Sequence, residues 1–350
     1  MRPVVRAETP LEWLLLRLGL VPTPLLDGYW GMTISRSLIT AVELELFEAL
    51  GDGPLSAAEL SDRLGTDRHG TEILLKALNG ARYLSCRNGR YSNGRVVHRW
   101  LVDGALVHLR DSLLFYGDLW DVMSDLTSMV RSGAVTNLHY EGRPAEFWQR
   151  YLRALAAFAP LVAPEIVSKS KLPRNARRVL DVGGGHGLYA AEFVRRRPGL
   201  SAEVLDLPEA CAVGRQIIEA AGLTDRVHFR EGDVRDCDWG TGFDAVLLFN
   251  LLHNLTESES RAALHGAFAA LRPGGKVIVL DSEYQSSAGN LSLTAGLNEM
   301  MFYLTSGTGV YPEERMRSWI AEAGFGRIRM RHLLRMPMAV LIEATRGLAK

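Results

Sequence analysis

The segment Arg178-Val179-Leu180-Asp181-Val182-Gly183-Gly184-Gly185-His186-Gly187-Leu188-Tyr189 constrains this chain more than any other. It reads as a buried strand that runs into a glycine turn and then into a helix. A chain that makes this passage over so few residues adopts dihedrals that side chains resist, and its backbone comes close to any ligand above the turn. The glycines stand at 183, 184, 185 and 187, which departs from the G-x-G-x-x-G spacing of dinucleotide sites, and an acid, Asp181, precedes them. A carboxylate there repels a pyrophosphate and suits the cationic methionine end of S-adenosylmethionine (SAM). The plainer alternative is a tight strand-to-helix turn with no ligand.

With 350 residues the chain is longer than one typical domain, so two domains are expected. A formal net charge of zero argues against any global attraction to nucleic acid or to anionic lipid. Cys86, Cys211 and Cys237 include no CxxC pair and are too few for a disulfide framework, so they read as reduced thiols of a cytoplasmic protein. Near the N-terminus, Trp13 to Leu20 resembles a signal sequence, but Glu12 and Arg17 interrupt the apolar run and no small-residue cleavage site follows. A short amphipathic helix that packs on a partner is expected there, and no segment is expected to cross a membrane.

From Tyr29 to Leu50 apolar residues recur at helical spacing, which predicts one long, buried helix stopped by Gly51-Asp52-Gly53. Ser56 and Glu59 have the form of a capping box for a short helix that Gly65 ends, and a further helix begins near Thr66. Asn88-Gly89 between two short strand-like runs marks a hairpin turn. Helix, helix and hairpin in this order make a winged-helix pattern, and DNA binding is the sharp reading of it. Residues 51–105 carry eight Lys/Arg against six Asp/Glu, with no basic stripe along the would-be recognition helix, so a dimerisation module is the better reading. Helices are expected at 111–130 and 146–168, and the aromatics Phe147, Trp148, Tyr151 and Phe158 of the second belong to a core or line an apolar pocket. The polar run Lys169 to Asn175 is the expected boundary, giving a mainly helical domain over 1–170 and an α/β domain over 171–350.

Beyond that boundary strands and helices alternate, with strands at 178–183, 202–206, 227–231, 244–249, 276–281, 327–333 and 338–344. The last two adjoin without a helix and should pair antiparallel at one edge. Seven strands so arranged predict a doubly wound, Rossmann-like methyltransferase sheet. In such a sheet the ligand lies across the carboxyl ends of the strands. Strand two ends in Asp206-Leu207, about 20 residues past the glycines, where a carboxylate accepts both ribose hydroxyls or, alternatively, caps a helix. Strand three ends in Asp233-Val234, an acceptor for the adenine amino group and an apolar face for the ring. Strand four delivers Phe249 and Asn250 to the cofactor and His253 beyond it.

These motifs, with Leu271-Arg272-Pro273-Gly274-Gly275-Lys276, resemble the SAM-dependent O-methyltransferases of the plant caffeate/flavonoid type and their bacterial polyketide and phenazine counterparts, over roughly residues 25–345. The resemblance implies a homodimer formed through the N-terminal winged-helix domain, an aromatic substrate, no metal, and a general base at His253. Imidazole titrates near enough to neutrality to take the proton of a phenol during transfer. The glycines 183, 185 and 187 with Asp181, Asp206, Leu207, Asp233, Val234, Phe249 and Asn250 are then the SAM residues.

The chain departs from the family pattern beside the histidine. Asn254-Leu255 replaces the usual Asp-Trp, and of the two acids that flank the base, Asp281 stands at the first position while Val310-Tyr311 occupies the second. These departures point to a more acidic hydroxyl as acceptor, or alternatively to C- or N-methylation or a non-methylating SAM-binding reaction. A polar wall residue is the alternative role for His253, and a ligand-sensing regulator the alternative function for the whole. Tyr151, Leu155, Phe158, Asn298, Met300, Met301 and Tyr303 are the candidate substrate residues, and they suit a flat, largely apolar molecule.

Overall fold

A computed structural model describes residue 7 and residues 9–105, 107–135, 137–140, 142–284, 286–287 and 290–348, with main chain alone at 286, 287 and 290. The contacts of the chain divide it into two units, Met1–Trp120 and Asp121–Lys350. The expected boundary at 170/171 therefore falls inside the second unit. The reason is the helix Ala145–Lys169, which buries Ala159, Val162, Ala163 and Ile166 in the same apolar cluster as the sheet residues Val179, Val204 and Leu247.

In the first unit the chain forms α1 (Pro10–Arg17), α2 (Thr23–Glu43), α3 (Leu46–Ala49), β1 (Leu55–Ser56), α4 (Ala57–Leu64), α5 (Arg68–Gly80), β2 (Leu84–Arg87), β3 (Arg90–Asn93) and α6 (Arg95–Trp100), and α7 (Arg110–Ser124) runs out of it. The capping box that opens α4 is present: the Ser56 amide donates to Glu59 Oε2 at 2.7 Å and the Glu59 amide to Ser56 Oγ at 3.3 Å. Asn88 and Gly89 are both left-handed, with φ of 52° and 73°, as a two-residue hairpin between right-twisted strands requires. The hairpin gains a third strand, in the order β1-β3-β2. Two expectations need correction. The single helix over 29–50 breaks at Glu45, whose φ of 56° turns the chain so that α3 can bury Leu46 and Phe47. Its N-terminal half is also exposed rather than buried, and burial begins only at Leu38. The single helix over 111–130 is likewise two, with α7 and the next helix meeting at Asp125.

The second unit contains α8 (Leu126–Ser132), α9 (Ala145–Lys169), β4 (Arg178–Val182), α10 (Leu188–Arg196), β5 (Ser201–Asp206), α11 (Pro208–Ala220), β6 (Val227–Glu231), β7 (Phe243–Phe249), α12 (Glu257–Ala270), β8 (Leu271–Ser282), β9 (Ser286–Ser287), β10 (Asn290–Leu291), α13 (Leu293–Ser306), α14 (Glu313–Glu322), β11 (Phe325–His332) and β12 (Ala339–Arg346). The seven-stranded sheet has the order β11-β12-β8-β7-β4-β5-β6. β4 pairs in parallel with β5 on one side and β7 on the other, so the winding reverses beside β4 and opens a crevice at the carboxyl ends of these strands. The expected final hairpin is present, with β12 antiparallel to both β11 and β8.

Helices cover both faces of the sheet, which is why its central strands β4 and β7 are largely apolar, with Asp181 and Asp244 as their buried polar residues. Every residue of β7 is buried, with Ala245 and Leu247 in the cluster beneath α9 and α10 while Val246 and Leu248 pack with α12 and α14. The helix α9 is long and apolar enough to cross a membrane, contrary to the expectation that no segment is. Here it packs on α10 and α11 of the same unit and buries one face, from Phe147 to Ile166, while Leu155 and Phe158 stay exposed.

Candidate active site

The glycine loop leaves β4 and ends at Gly187, whose φ of 70° caps the start of α10. Its tightest point is Gly184, where a Cβ would stand 2.6 Å from Cγ of Asp181. Sequence reasoning passed over Gly184, yet it is the glycine that makes room for the Asp181 carboxylate. That carboxylate is fully buried, and neither oxygen receives a hydrogen bond of ordinary geometry. Burial pushes its pKa up to about 8, the charge of Asp206 adds to the rise, and the Ala190 amide offsets little of it.

Asp206, at the end of β5, reaches under the same loop. Its Oδ2 accepts from the Gly185 amide at 2.7 Å and its Oδ1 from the Leu207 amide at 2.8 Å. Burial nevertheless raises it to about 6 against those two bonds, with Asp233 adding. Asp233, beyond β6, is grasped by Arg235 through Nε at 3.0 Å and Nη2 at 2.6 Å, which holds its pKa down, and the Arg235 guanidinium lies 3.7 Å from the centre of the Tyr140 ring. Of the carboxylates at the ends of β4, β5 and β6, Asp233 is paired with Arg235, while Asp181 and Asp206 have no cationic partner among the described residues. SAM fits on that ground: its positive methionine end answers the orphaned oxygens of Asp181, and the loop offers close backbone approach. Val234 is partly buried against the apolar cluster beneath α12, and its carbonyl accepts from Trp239 Nε1. Phe249 sits differently from its expected place facing the cofactor. Strand alternation turns it into the core, where its ring meets Tyr189 at 5.6 Å. Asn250 is left-handed, with φ of 53°, and its amide donates to Leu280 O at 2.7 Å.

His253 lies on a short helical turn, Leu252–Asn254, beyond β7. Its Nδ1 is 2.7 Å from Asp281 Oδ1 and its main-chain amide donates to Asp281 Oδ2 at 3.3 Å, while the Ser282 amide also donates to Oδ1 at 2.7 Å. A carboxylate only accepts, so Nδ1 carries a proton and, in the neutral ring, Nε2 is the lone-pair nitrogen. The Phe302 ring stacks on the imidazole, 3.8 Å between centroids and 16° between planes, and Thr308 Oγ1 donates to the His253 carbonyl. The residues that depart from the family pattern are all engaged. Asn254 Nδ2 donates to Asn250 O at 3.1 Å, Ser306 Oγ to Asn254 Oδ1 at 2.8 Å, and the Tyr311 hydroxyl to Leu255 O at 2.6 Å.

The substrate candidates divide. Tyr151 is half-buried and bonded to His139, whereas Leu155 and Phe158 lie on an exposed face of α9, at 42% and 40%, so Phe158 is not a core aromatic. On α13, Asn298 and Met301 are half-buried and Met300 is exposed, while the Tyr303 hydroxyl donates to Met129 O at 2.9 Å and ties α13 to α8. Sequence reasoning missed Phe302, although Asn298 four residues earlier shares its helix face. His139 it missed altogether, since nothing in the sequence near it signals a partner twelve residues away.

Comparison with known proteins places this geometry. The family model for the O-methyltransferase domain matches residues 118–326 and that for the O-methyltransferase dimerisation domain residues 26–103. The 3-hydroxy-5-methyl-1-naphthoate 3-O-methyltransferase of Streptomyces sahachiroi is 32% identical over 325 residues, covering 88% of this chain and 90% of that one. The L-tyrosine C(3)-methyltransferase of Streptomyces lavendulae is 25% identical over 85% of this chain and 84% of its own. The fold is shared with human N-acetylserotonin methyltransferase in complex with SAM, at a TM-score of 0.82 and 21% identity over 98% of this chain and all of the other. A glycine loop over buried carboxylates, a histidine held by an aspartate beyond the fourth strand, and these two matched models lead to one statement: the chain belongs to the SAM-dependent O-methyltransferase family.

Proposed function

We propose that the chain methylates a hydroxyl of an aromatic or polyketide-type small molecule in secondary metabolism, with His253 as the general base. The observation that carries this reading is the His253–Asp281 pair, 2.7 Å between Nδ1 and Oδ1, which in the neutral ring makes Nε2 the lone-pair nitrogen, on a ring that Phe302 and Asp281 hold in place. Bound SAM supplies an electrophilic methyl group on a sulfonium. Asp181 carries the negative charge that meets the methionine end of the cofactor, Asp206 accepts the ribose hydroxyls, the loop from Gly183 to Gly187 lets its backbone approach, and Asp233 with Val234 takes the adenine. His253 removes the acceptor proton, and fixed placement of the acceptor supplies much of the remaining barrier reduction. The aromatic acceptor of the naphthoate relative supports the substrate class.

The matched dimerisation domain and the exposed apolar residues of α1 and α2, among them Trp13 at 54% and Leu25 at 68%, support a homodimer formed through the N-terminal unit. The three free cysteines support a cytoplasmic location. Incubation with methyl-labelled SAM and a panel of phenols, naphthols and hydroxyquinones tests the proposal by product mass. A gain of one methyl on oxygen is expected. The tyrosine C-methyltransferase relative supports the competing reading, and methylation at carbon or nitrogen, found by fragmentation, would establish it.

A further inference from the structure

The turn that carries His253 is closed by the side chain that follows it. Asn254 Nδ2 lies 3.1 Å from the Asn250 carbonyl, and the Asn254 main-chain amide donates to Leu251 O at 2.9 Å. A carbonyl only accepts, so the atom of Asn254 that faces Asn250 is the amide nitrogen and the other is the amide oxygen. That oxygen also only accepts, so the Ser306 hydroxyl, 2.8 Å away, donates to it. Asn254 therefore donates at one end and accepts at the other. Asn250, at the foot of the turn, is left-handed with φ of 53°, and its own amide donates to Leu280 O at 2.7 Å, on the strand that carries Asp281.

The other partner of Asn254 belongs to α13. Ser306 stands four residues after Phe302, so the two share a helix face, and Asn298, four residues before Phe302, lies on the same face. That face meets two consecutive residues of the turn: the Phe302 ring stacks on the His253 imidazole, and the Ser306 hydroxyl bonds the Asn254 side chain. Thr308, just past the helix, adds a third contact by donating to the His253 carbonyl. The base is thus held at its ring by Asp281 and Phe302, and its turn is held by a relay that runs from α13 through Asn254 to Asn250. An aspartate at 254 would keep the Ser306 bond and lose the donor for Asn250 O, which would then face a carboxylate oxygen. A part-buried acceptor stripped of its donor is unfavourable.

We infer that Asn254 and Ser306 are positioning residues for the base: together they close the turn from Asn250 to Asn254 against α13, so that the helix carrying the candidate acceptor residue Asn298 also sets where the His253 ring stands. Asn254 is then required as an amide, and the aspartate usual at this place in the family would impair this chain. The inference rests on the base role proposed above for His253 and extends it to the residues that aim it. Misplacing a reacting group by about 1 Å can cost about 10²-fold in rate, so a loosened turn is read in turnover rather than in cofactor affinity.

The test measures kcat, KM and the calorimetric Kd for SAM in Asn254→Asp, Ser306→Ala, Ser306→Thr, His253→Ala and the double variant His253→Ala/Asn254→Asp. The acceptor is the phenol, naphthol or hydroxyquinone that the wild type methylates fastest. Asn254→Asp should lower kcat by about tenfold or more and Ser306→Ala by about three- to tenfold, each with KM and SAM affinity nearly unchanged. Ser306→Thr, which keeps the hydroxyl, should restore most of the rate. Because Asn254 acts through His253, the double variant should be no slower than His253→Ala alone. An Asn254→Asp or Ser306→Ala enzyme as fast as the wild type overturns the inference and leaves O-methylation intact. So does a double variant slower than His253→Ala, or SAM affinity that falls in step with kcat in both Asn254→Asp and Ser306→Ala, since either marks a merely structural role. If His253→Ala keeps the wild-type kcat, the base role fails and the inference with it. A wild type that binds SAM but methylates no member of the panel on oxygen overturns the proposed reaction and the inference together.

Discussion

Asp181 and Asp281 end β4 and β8, one strand apart in the sheet, and both carboxylates are buried, at 0% and 2% exposure. Their surroundings are opposite. Asp281 accepts from the imidazole and amide of His253 and from the amide of Ser282. Asp181 accepts no hydrogen bond of ordinary geometry and holds a proton up to about pH 8. A buried carboxylate whose valences the protein fills is part of a positioning device. One left unfilled beneath a glycine loop suits a ligand of opposite charge, which is the role proposed for Asp181. The two ends of the site can therefore be separated by experiment, one reporting on turnover and the other on cofactor affinity.

The sharpest separation comes from the histidine that Asp281 holds. His253→Ala should lower kcat by about 10²–10⁴-fold, the range for loss of a general base, and leave the calorimetric Kd for SAM nearly unchanged. If kcat with the true acceptor is unaltered, His253 is a wall residue. If SAM affinity collapses as well, the two ends are not independent. Asp281→Asn should act in the same direction and less strongly, by about 10–100-fold in kcat, since one charge-assisted hydrogen bond contributes about 1.5–3 kcal/mol. Asp206→Ala should reverse the pattern, weakening SAM by about tenfold or more through the loss of the carboxylate that the Gly185 and Leu207 amides hold in place. Equal losses of turnover and affinity in both aspartate variants would erase the distinction.

The contrast also marks what a sequence can disclose. The central strands are legible to within a few residues because burial on both faces makes them largely apolar, and Asp206 is legible because it stands at a strand end at a fixed distance past the glycines. The break at Glu45 is not legible, since a glutamate in the left-handed region leaves no local signal. The unit boundary is hidden for a related reason: α9 reads as the end of a helical domain, and only packing shows that it covers the sheet. Asp281 could be placed beside His253 only through the family resemblance, as the first of the two acids that flank the base. Phe302 reaches the imidazole from α13, and a contact made by folding distant segments together has no periodicity to betray it.

The smallest effect concerns Asp181 itself and depends on pH. An ordinary aspartate has a pKa of about 3.9, whereas burial lifts this one to about 8 in the folded chain. Between those values the folded state holds a proton that the unfolded state has lost, so stability without cofactor falls as pH rises, by at most about 1.4 kcal/mol per pH unit from this group. Asp181→Asn removes the titration, so its Tm should decline less than that of the wild type between pH 6 and pH 8. A bound cation favours the ionised carboxylate, so SAM binding near pH 7 should release protons, up to about one from Asp181, with Asp206 contributing mainly near and below its value of about 6. Calorimetry in buffers of different ionisation enthalpy measures that number directly. Release that persists undiminished in Asp181→Asn would mean that the unfilled carboxylate is not where the charge of the cofactor is met.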